Sequence, residues 1–188
     1  MSKRALIIMN VQNDYFVGGA MEISHSLSII PVINRIKQKF EYVFFIADRY
    51  SKNNCMFKKN GGKYPKHCIQ YTHEAKLHKF IELKKKDKII YKGSNDKYIT
   101  NTAFYNAKDV NDKTTLNNYL NKIGIDTLYV CGLTGIHETL LDAYKFRYKC
   151  YCIEDAVVGI NKKKSLYWKN FLENNGIIYV KSDDISHN

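Results

Sequence analysis

The 188-residue sequence predicts an α/β fold, a doubly wound and mostly parallel six-stranded sheet with helices on both faces. Three observations carry that expectation. Apolar runs of strand length alternate with segments of helical period. The runs are almost continuously apolar, as strands covered on both faces must be. No internal repeat or linker interrupts the alternation, so residues 1–188 read as one domain.

The strands follow in order. "ALIIM" at 5–9 opens the chain, and "YVFFIA" at 42–47 comes next. "KIIY" at 88–91 and "TLYVCG" at 127–132 follow, then "CYCIE" at 150–154 and "IIYV" at 177–180. Helices are expected near 26–39, 114–123, 136–147 and 162–175. Leu27, Ile30, Ile33 and Ile36 pattern the first; Leu140, Leu141 and Tyr144 the third; Leu166, Phe171 and Leu172 the fourth. Asn175-Gly176 supplies the turn that tolerates positive φ after the last helix. One long irregular stretch, 48–72, is of a length that is usually functional or disordered.

Composition narrows the function classes. Hydrophobic residues make up 45% of the chain, enough for a packed core rather than disorder. No apolar run approaches the roughly 20 residues that cross a bilayer, so no membrane role is expected. "MSKRALIIMN" turns polar too early for a secretion signal, and the expected location is cytoplasmic. The net charge of +12 raises the question of nucleic acid. Its lysines gather in "ELKKKDK" and "INKKKSLYW", which no nucleic-acid motif frames, so they read as solvated charge runs. The five cysteines are odd in number and lack zinc-type spacing. Cys131, Cys150 and Cys152 lie in apolar runs and read as small buried hydrophobes.

Open parallel sheets bind ligands beyond the carboxyl ends of their strands. That rule points to 10–14, 48–50, 92–93 and 133–138. The last of these lies in "YVCGLTGIHETLLDA", where a strand passes through a glycine turn into a helix. Many α/β enzymes mount a nucleophile there, yet the helix opens with His137, Glu138 and Thr139 rather than cysteine or serine.

Those segments together resemble the isochorismatase-like hydrolase superfamily, and within it the nicotinamidases. "ALIIMNVQNDYFVGGAM", "GGKYPKHCIQYTHEAK", "YKGSNDKYITNTAFYN" and "VCGLTGIHETLLDA" are similar to its four motifs, in order and with similar spacing. The resemblance implies an Asp–Lys–Cys triad in which the cysteine attacks an amide carbon and the aspartate takes its proton. The lysine lowers the thiol pKa, ammonia leaves, and water hydrolyses the thioester. It also implies a zinc or iron ion, held by one aspartate and two histidines, that orients a pyridine nitrogen.

Onto those positions this sequence puts Asn10, Lys92 and Glu138. Asparagine is no base near neutral pH. Attack by the Glu138 carboxylate on an amide would give an anhydride, which reverts more readily than a thioester. A Lys92–Glu138 ion pair is expected to keep the charge balance while discarding the nucleophile. Of the metal ligands, Asp48 and His67 are present and Tyr50 replaces the other histidine. Two ligands and a neutral phenol make a poor zinc site, so no cofactor is expected beyond a degraded zinc or iron site.

The resemblance further places Tyr15, Tyr64 and Phe104 as aromatics around a ligand ring, and Leu133-Thr134 where the family has a cis peptide. His137 reads as a cleft-edge histidine and Asp14 as a structural hydrogen-bonding residue; Glu74 has no assignable role. The expected partners are a small aromatic-ring ligand and, by analogy alone, further copies of the chain. Three function classes follow: a catalytically degenerate binding protein, a divergent amide or vinyl-ether hydrolase using Glu138, Lys92 and His137, or a basic interaction protein.

Overall fold

A computed structural model describes residues 2–158 and 162–186, without the side chains of 162–165. Strands β1 (Arg4–Met9), β2 (Tyr42–Asp48) and β3 (Lys88–Lys92) form one half of a parallel sheet. Strands β6 (Thr127–Gly132), β7 (Lys149–Val157) and β8 (Ile178–Val180) form the other. Their order is β3-β2-β1-β6-β7-β8, so the winding reverses between β1 and β6. A cleft opens at that reversal, because the loops after the two strands diverge to opposite faces.

The pleat divides the core. Leu6, Ile8, Val43, Phe45 and Cys131 face one layer, which helix α1 (Ile29–Ile36) covers with Ile29, Ile30, Ile33 and Ile36. Ala5, Ile7, Met9, Phe44, Leu128 and Val130 face the other. That layer is covered by Leu116 and Leu120 of α2 (Leu116–Ile123), by Ile136, Leu140 and Ala143 of α3 (Ile136–Lys145), and by Leu172 of α4 (Lys162–Asn174). The alternation follows from the period of two in each strand.

The expected strands and helices all form, with ends shifted by a few residues. The first helix is shorter than its periodicity suggests: 3₁₀ turns at Ser26–Ser28 and Lys37–Lys39 flank α1. A short antiparallel pair, β4 (Tyr105–Ala107) with β5 (Asp112–Lys113), escaped the sequence reading, being too brief to show a period. The stretch 48–72 is built into the body of the protein. Asn54, Met56, Phe57 and Cys68 are buried, and bridges join Tyr50 to Ile69 and Phe57 to Tyr64. Lys84–Lys86 of the first charge run are exposed, whereas neighbouring Asp87 forms a buried ion pair with Lys37 at 2.6 Å. The lysines of the second run, 162–164, have side chains outside the described residues. Among the described residues no helix is long and apolar enough to cross a membrane.

Candidate active site

The carboxyl ends of β1, β2, β3 and β6 converge on the cleft. Asp48 ends β2 and Lys92 ends β3, and the two are register partners in the parallel ladder. Their side chains therefore leave the same face, and Lys92 Nζ forms an ion pair with Asp48 Oδ1. Both are almost wholly buried, the side chains 1% and 2% exposed. Gln12 locks the aspartate's backbone: its Oε1 accepts from Asp48 N and its Nε2 donates to Asp48 O, both at 2.7 Å.

The other carboxylate oxygen, Asp48 Oδ2, accepts from Asn10 Nδ2 at 3.0 Å and from the Tyr15 hydroxyl at 2.5 Å. Asn10 sits just past β1 in left-handed backbone, φ 54°, a conformation asparagine tolerates better than most residues. The carboxylate fixes its amide orientation, since only the NH₂ group can donate to it. The same Nδ2 reaches Thr134 Oγ1 at 2.5 Å, and Asn10 Oδ1 is buried with no partner among the described residues. Burial, and then the Asp48 charge, push the Tyr15 phenol well above its ordinary pKa, so it stays a neutral donor.

The turn after β6 crosses the cleft at close quarters. A Cβ on Gly132 would lie 2.2 Å from Met9 O, and one on Gly135 would lie 2.0 Å from Asn101 O. Glycine alone fits at both, as the positive φ values of 121° and 74° also require. The turn delivers Leu133, Thr134, His137 and Glu138 to the cleft wall.

Glu138 stands in the first turn of α3, where the helix dipole favours a carboxylate. It does not pair with Lys92, which corrects the ion pair expected from sequence. Lys92 is satisfied by Asp48, its neighbour in the ladder, while Glu138 Oε1 accepts from Asn101 Nδ2 at 3.3 Å. Sequence order gives no hint of that partner, because Asn101 lies in an irregular loop. His137 stacks on Trp168 with ring centres 4.8 Å apart and planes 6° apart. Burial lowers its pKa, and nearby Glu138 partly opposes this.

Aromatic groups line the other wall. Tyr15, Tyr50, Phe57 and Tyr64 ring the His67 imidazole with centroid distances of 5.4 to 6.3 Å. Its Nδ1 is 2.9 Å from Pro65 O, which makes that nitrogen the donor. Tyr64 stands at the rim, 40% exposed. With Met21, Met56, Trp168 and Tyr179 the cleft encloses about 580 Å³, room for a small ring compound. Trp168 and Tyr179 arrive from α4 and β8, and nothing in their local sequence marks them as cleft residues.

One further expectation is corrected. Phe104 is fully buried against Phe146 and Tyr148 in the α3-side core and does not border the cleft. Its place beside β4 turns it inward, away from any ligand. The Leu133–Thr134 peptide is trans. Asp14 holds the loops together, accepting from Cys68 N at 2.5 Å and Ala20 N at 3.0 Å. Glu74 is exposed, and its backbone carbonyl accepts from Asp14 N.

The residues at the metal-ligand positions do not fit a zinc or iron ion. Both oxygens of Asp48 are occupied by Lys92, Asn10 and Tyr15. Burial, then Asp48, hold the Tyr50 phenol far above its ordinary pKa, so it offers no phenolate. His67 alone remains as an ordinary donor, short of the three or four that zinc needs. Among the described residues no cluster of three histidine, cysteine or acidic side chains forms elsewhere.

The isochorismatase domain family matches residues 4–180. The nicotinamidase of Acinetobacter baylyi is 31% identical over an alignment covering 96% of this chain and 94% of its own. The nicotinamidase/pyrazinamidase structure from Acinetobacter baumanii is 32% identical, superposes with a TM-score of 0.90 and covers 98% of each chain. PnC1 of L. infantum, solved with nicotinate, is 25% identical with a TM-score of 0.94, over 100% of this chain and 96% of that one. With that breadth of agreement in sequence and fold, the chain belongs to the isochorismatase family as a nicotinamidase-like member of its hydrolase superfamily.

Proposed function

We propose that this protein binds a small aromatic-ring molecule in the cleft without hydrolysing it. One observation carries the reading: among the described residues the cleft presents no attacking group beside a proton acceptor. The Asp48 carboxylate is saturated by Lys92, Asn10 and Tyr15, and Glu138 leans on Asn101. The cleft's only thiol among the described residues, Cys152, is pushed by burial up to about 12, far from the thiolate a nucleophile needs. A divergent hydrolase would have Glu138 and Lys92 work as an acid–base pair, and each is instead engaged with a different partner.

The shape supports binding. Tyr15, Tyr64, Trp168 and Leu133 give flat apolar walls, and Asn101, Thr134 and Asn10 give polar atoms to fix orientation. The test combines ammonia release from nicotinamide and pyrazinamide with a thermal-shift measurement on the same protein. The expected outcome is no release, together with a melting temperature raised by nicotinamide. Turnover of about 1 per second or faster, the ordinary enzymatic range, would overturn the proposal.

A further inference from the structure

We infer that the cleft selects a cationic ring, such as a pyridinium quaternised at its ring nitrogen, over neutral or anionic rings of the same size. This rests on the proposed binding role and concerns the charge of the ligand. Among the described residues four charged side chains border the cleft: Asp48, Glu138, Glu154 and Lys169. Asp48 is cancelled by Lys92 behind it, and Glu154 is paired with Lys169 at 2.8 Å. Glu138 has only the neutral Asn101 amide as a partner among the described side chains. Among the described side chains one carboxylate is thus left without a cationic partner, in a cavity with aromatic rings in its walls. The protein as a whole carries +12, so this negative spot is local and opposes the general field.

The walls suit the same ligand class. Tyr15, Tyr50, Tyr64 and Trp168 bring aromatic rings to the space, and such rings are electron-rich on their faces. A cation bound against such faces gains from their quadrupoles, while an anion does not. The phenols of Tyr15 and Tyr50 are kept neutral, so they add no competing charge. Nothing cationic among the described side chains lies free to meet a carboxylate, because Lys92 and Lys169 are both held. A ring acid would face Glu138 directly and be repelled. A carboxamide on the ring finds polar partners instead, since Asn10 and Thr134 are among the lining residues. The charge pattern therefore excludes a ring carboxylate as a retained ligand and favours a ring bearing a positive nitrogen and an uncharged amide.

The test is calorimetric titration of the full chain with three probes: 1-methylnicotinamide, nicotinamide and nicotinate. The expected order is cation, then neutral amide, then acid, with the cation about tenfold tighter than the neutral ring. Glu138→Gln is expected to remove most of that tenfold preference, read as the ratio of the cation and nicotinamide affinities in the same variant. Glu138 is partly exposed, so a folded variant is expected, and circular dichroism checks it. Nicotinamide binding as well as or better than the cation would overturn the inference while leaving ligand binding itself standing. Absence of binding by all three probes would overturn both. A cation preference that persists in Glu138→Gln would refute the role given to that carboxylate.

Discussion

Asp48 and Lys92 are register neighbours at the ends of β2 and β3, and their side chains form a buried ion pair. The parallel ladder makes them meet, and burial makes each depend on the other. Taking two charges out of water costs several kcal/mol per ion, offset only while the geometry and the surrounding hydrogen bonds hold. Here Asn10 and Tyr15 supply those bonds.

Asp48→Asn is therefore expected to destabilise the fold by about 3–5 kcal/mol, since it strands a buried ammonium. Lys92→Met should cost less, because Asn10 and Tyr15 still donate to the carboxylate. The double variant Asp48→Leu/Lys92→Met should recover most of the loss. Urea unfolding measures all three, and additive losses in the double variant would contradict a coupled pair.

Asn10→Asp makes a sharper test of the same cluster. It replaces a donor 3.0 Å from Asp48 Oδ2 with a second carboxylate. Two carboxylates at that distance cannot both ionise cheaply, so the pair retains a proton and its upper apparent pKa rises. A raised folded-state pKa gives stability that is present at low pH and lost as pH climbs through it. The variant should come closest to the parent below about pH 4, the ordinary aspartate range, and fall about 1–3 kcal/mol below it near pH 8. Melting temperatures across that range decide it; a gap that widens toward low pH would be the wrong sign.

The turn after β6 yields a third expectation. Gly135→Ala places a methyl 2.0 Å from Asn101 O and forces a positive φ on alanine. The loop that carries Asn101 must shift, and Glu138 then loses its partner. The expected loss is more than about 1 kcal/mol, read by chemical denaturation, with altered ligand binding in the same variant. Gly124→Ala serves as the control, since a Cβ there meets open space and only the φ penalty applies.

Zinc offers a fourth. A metal held by the folded state raises its melting temperature, the more so the tighter it binds. With Asp48 already taken and Tyr50 a neutral phenol, neither zinc nor a chelator should move the melting temperature of the wild-type chain. A zinc-dependent rise that Asp48→Asn abolishes would show that the ion displaces Lys92.

Much of this was legible in the sequence, for reasons particular residues make plain. The continuous apolar runs at 5–9 and 42–47 could only be strands covered on both faces, and each alternates between the two core layers. The cleft follows from strand ends and glycine turns, so the sequence alone gathers Asn10, Asp48, Lys92 and Glu138. What escaped was pairwise. Lys92 was expected to face Glu138 by charge balance, yet ladder register gave it Asp48 instead. Phe104 was expected at the ligand because of its motif, yet a side chain's direction depends on the strand face, which a motif does not state. Trp168 and Tyr179 reach the cleft through tertiary packing that leaves no local pattern.

The cysteines give the last expectation, and it bears on chemistry. If any thiol had taken over as nucleophile, it would need exposure and a depressed pKa. Cys68 is the sulfur nearest in sequence to the cleft histidine, and burial, then the charges of Asp48 and Asp14, push its thiol far above the ordinary range. Cys131 is raised likewise by burial, while Cys150 and Cys152 are pushed up to about 12. Only Cys55 is part-exposed. Iodoacetamide applied to the native protein should therefore label Cys55 first and leave the other four until denaturant is added. Peptide mass mapping reads the order. Raising the pH toward 9 should still not bring Cys68 or Cys152 into reach, because burial holds both thiols up. Rapid native labelling of Cys68 or Cys152, protected by nicotinamide, would place a reactive sulfur in the cleft and restore covalent catalysis as an explanation.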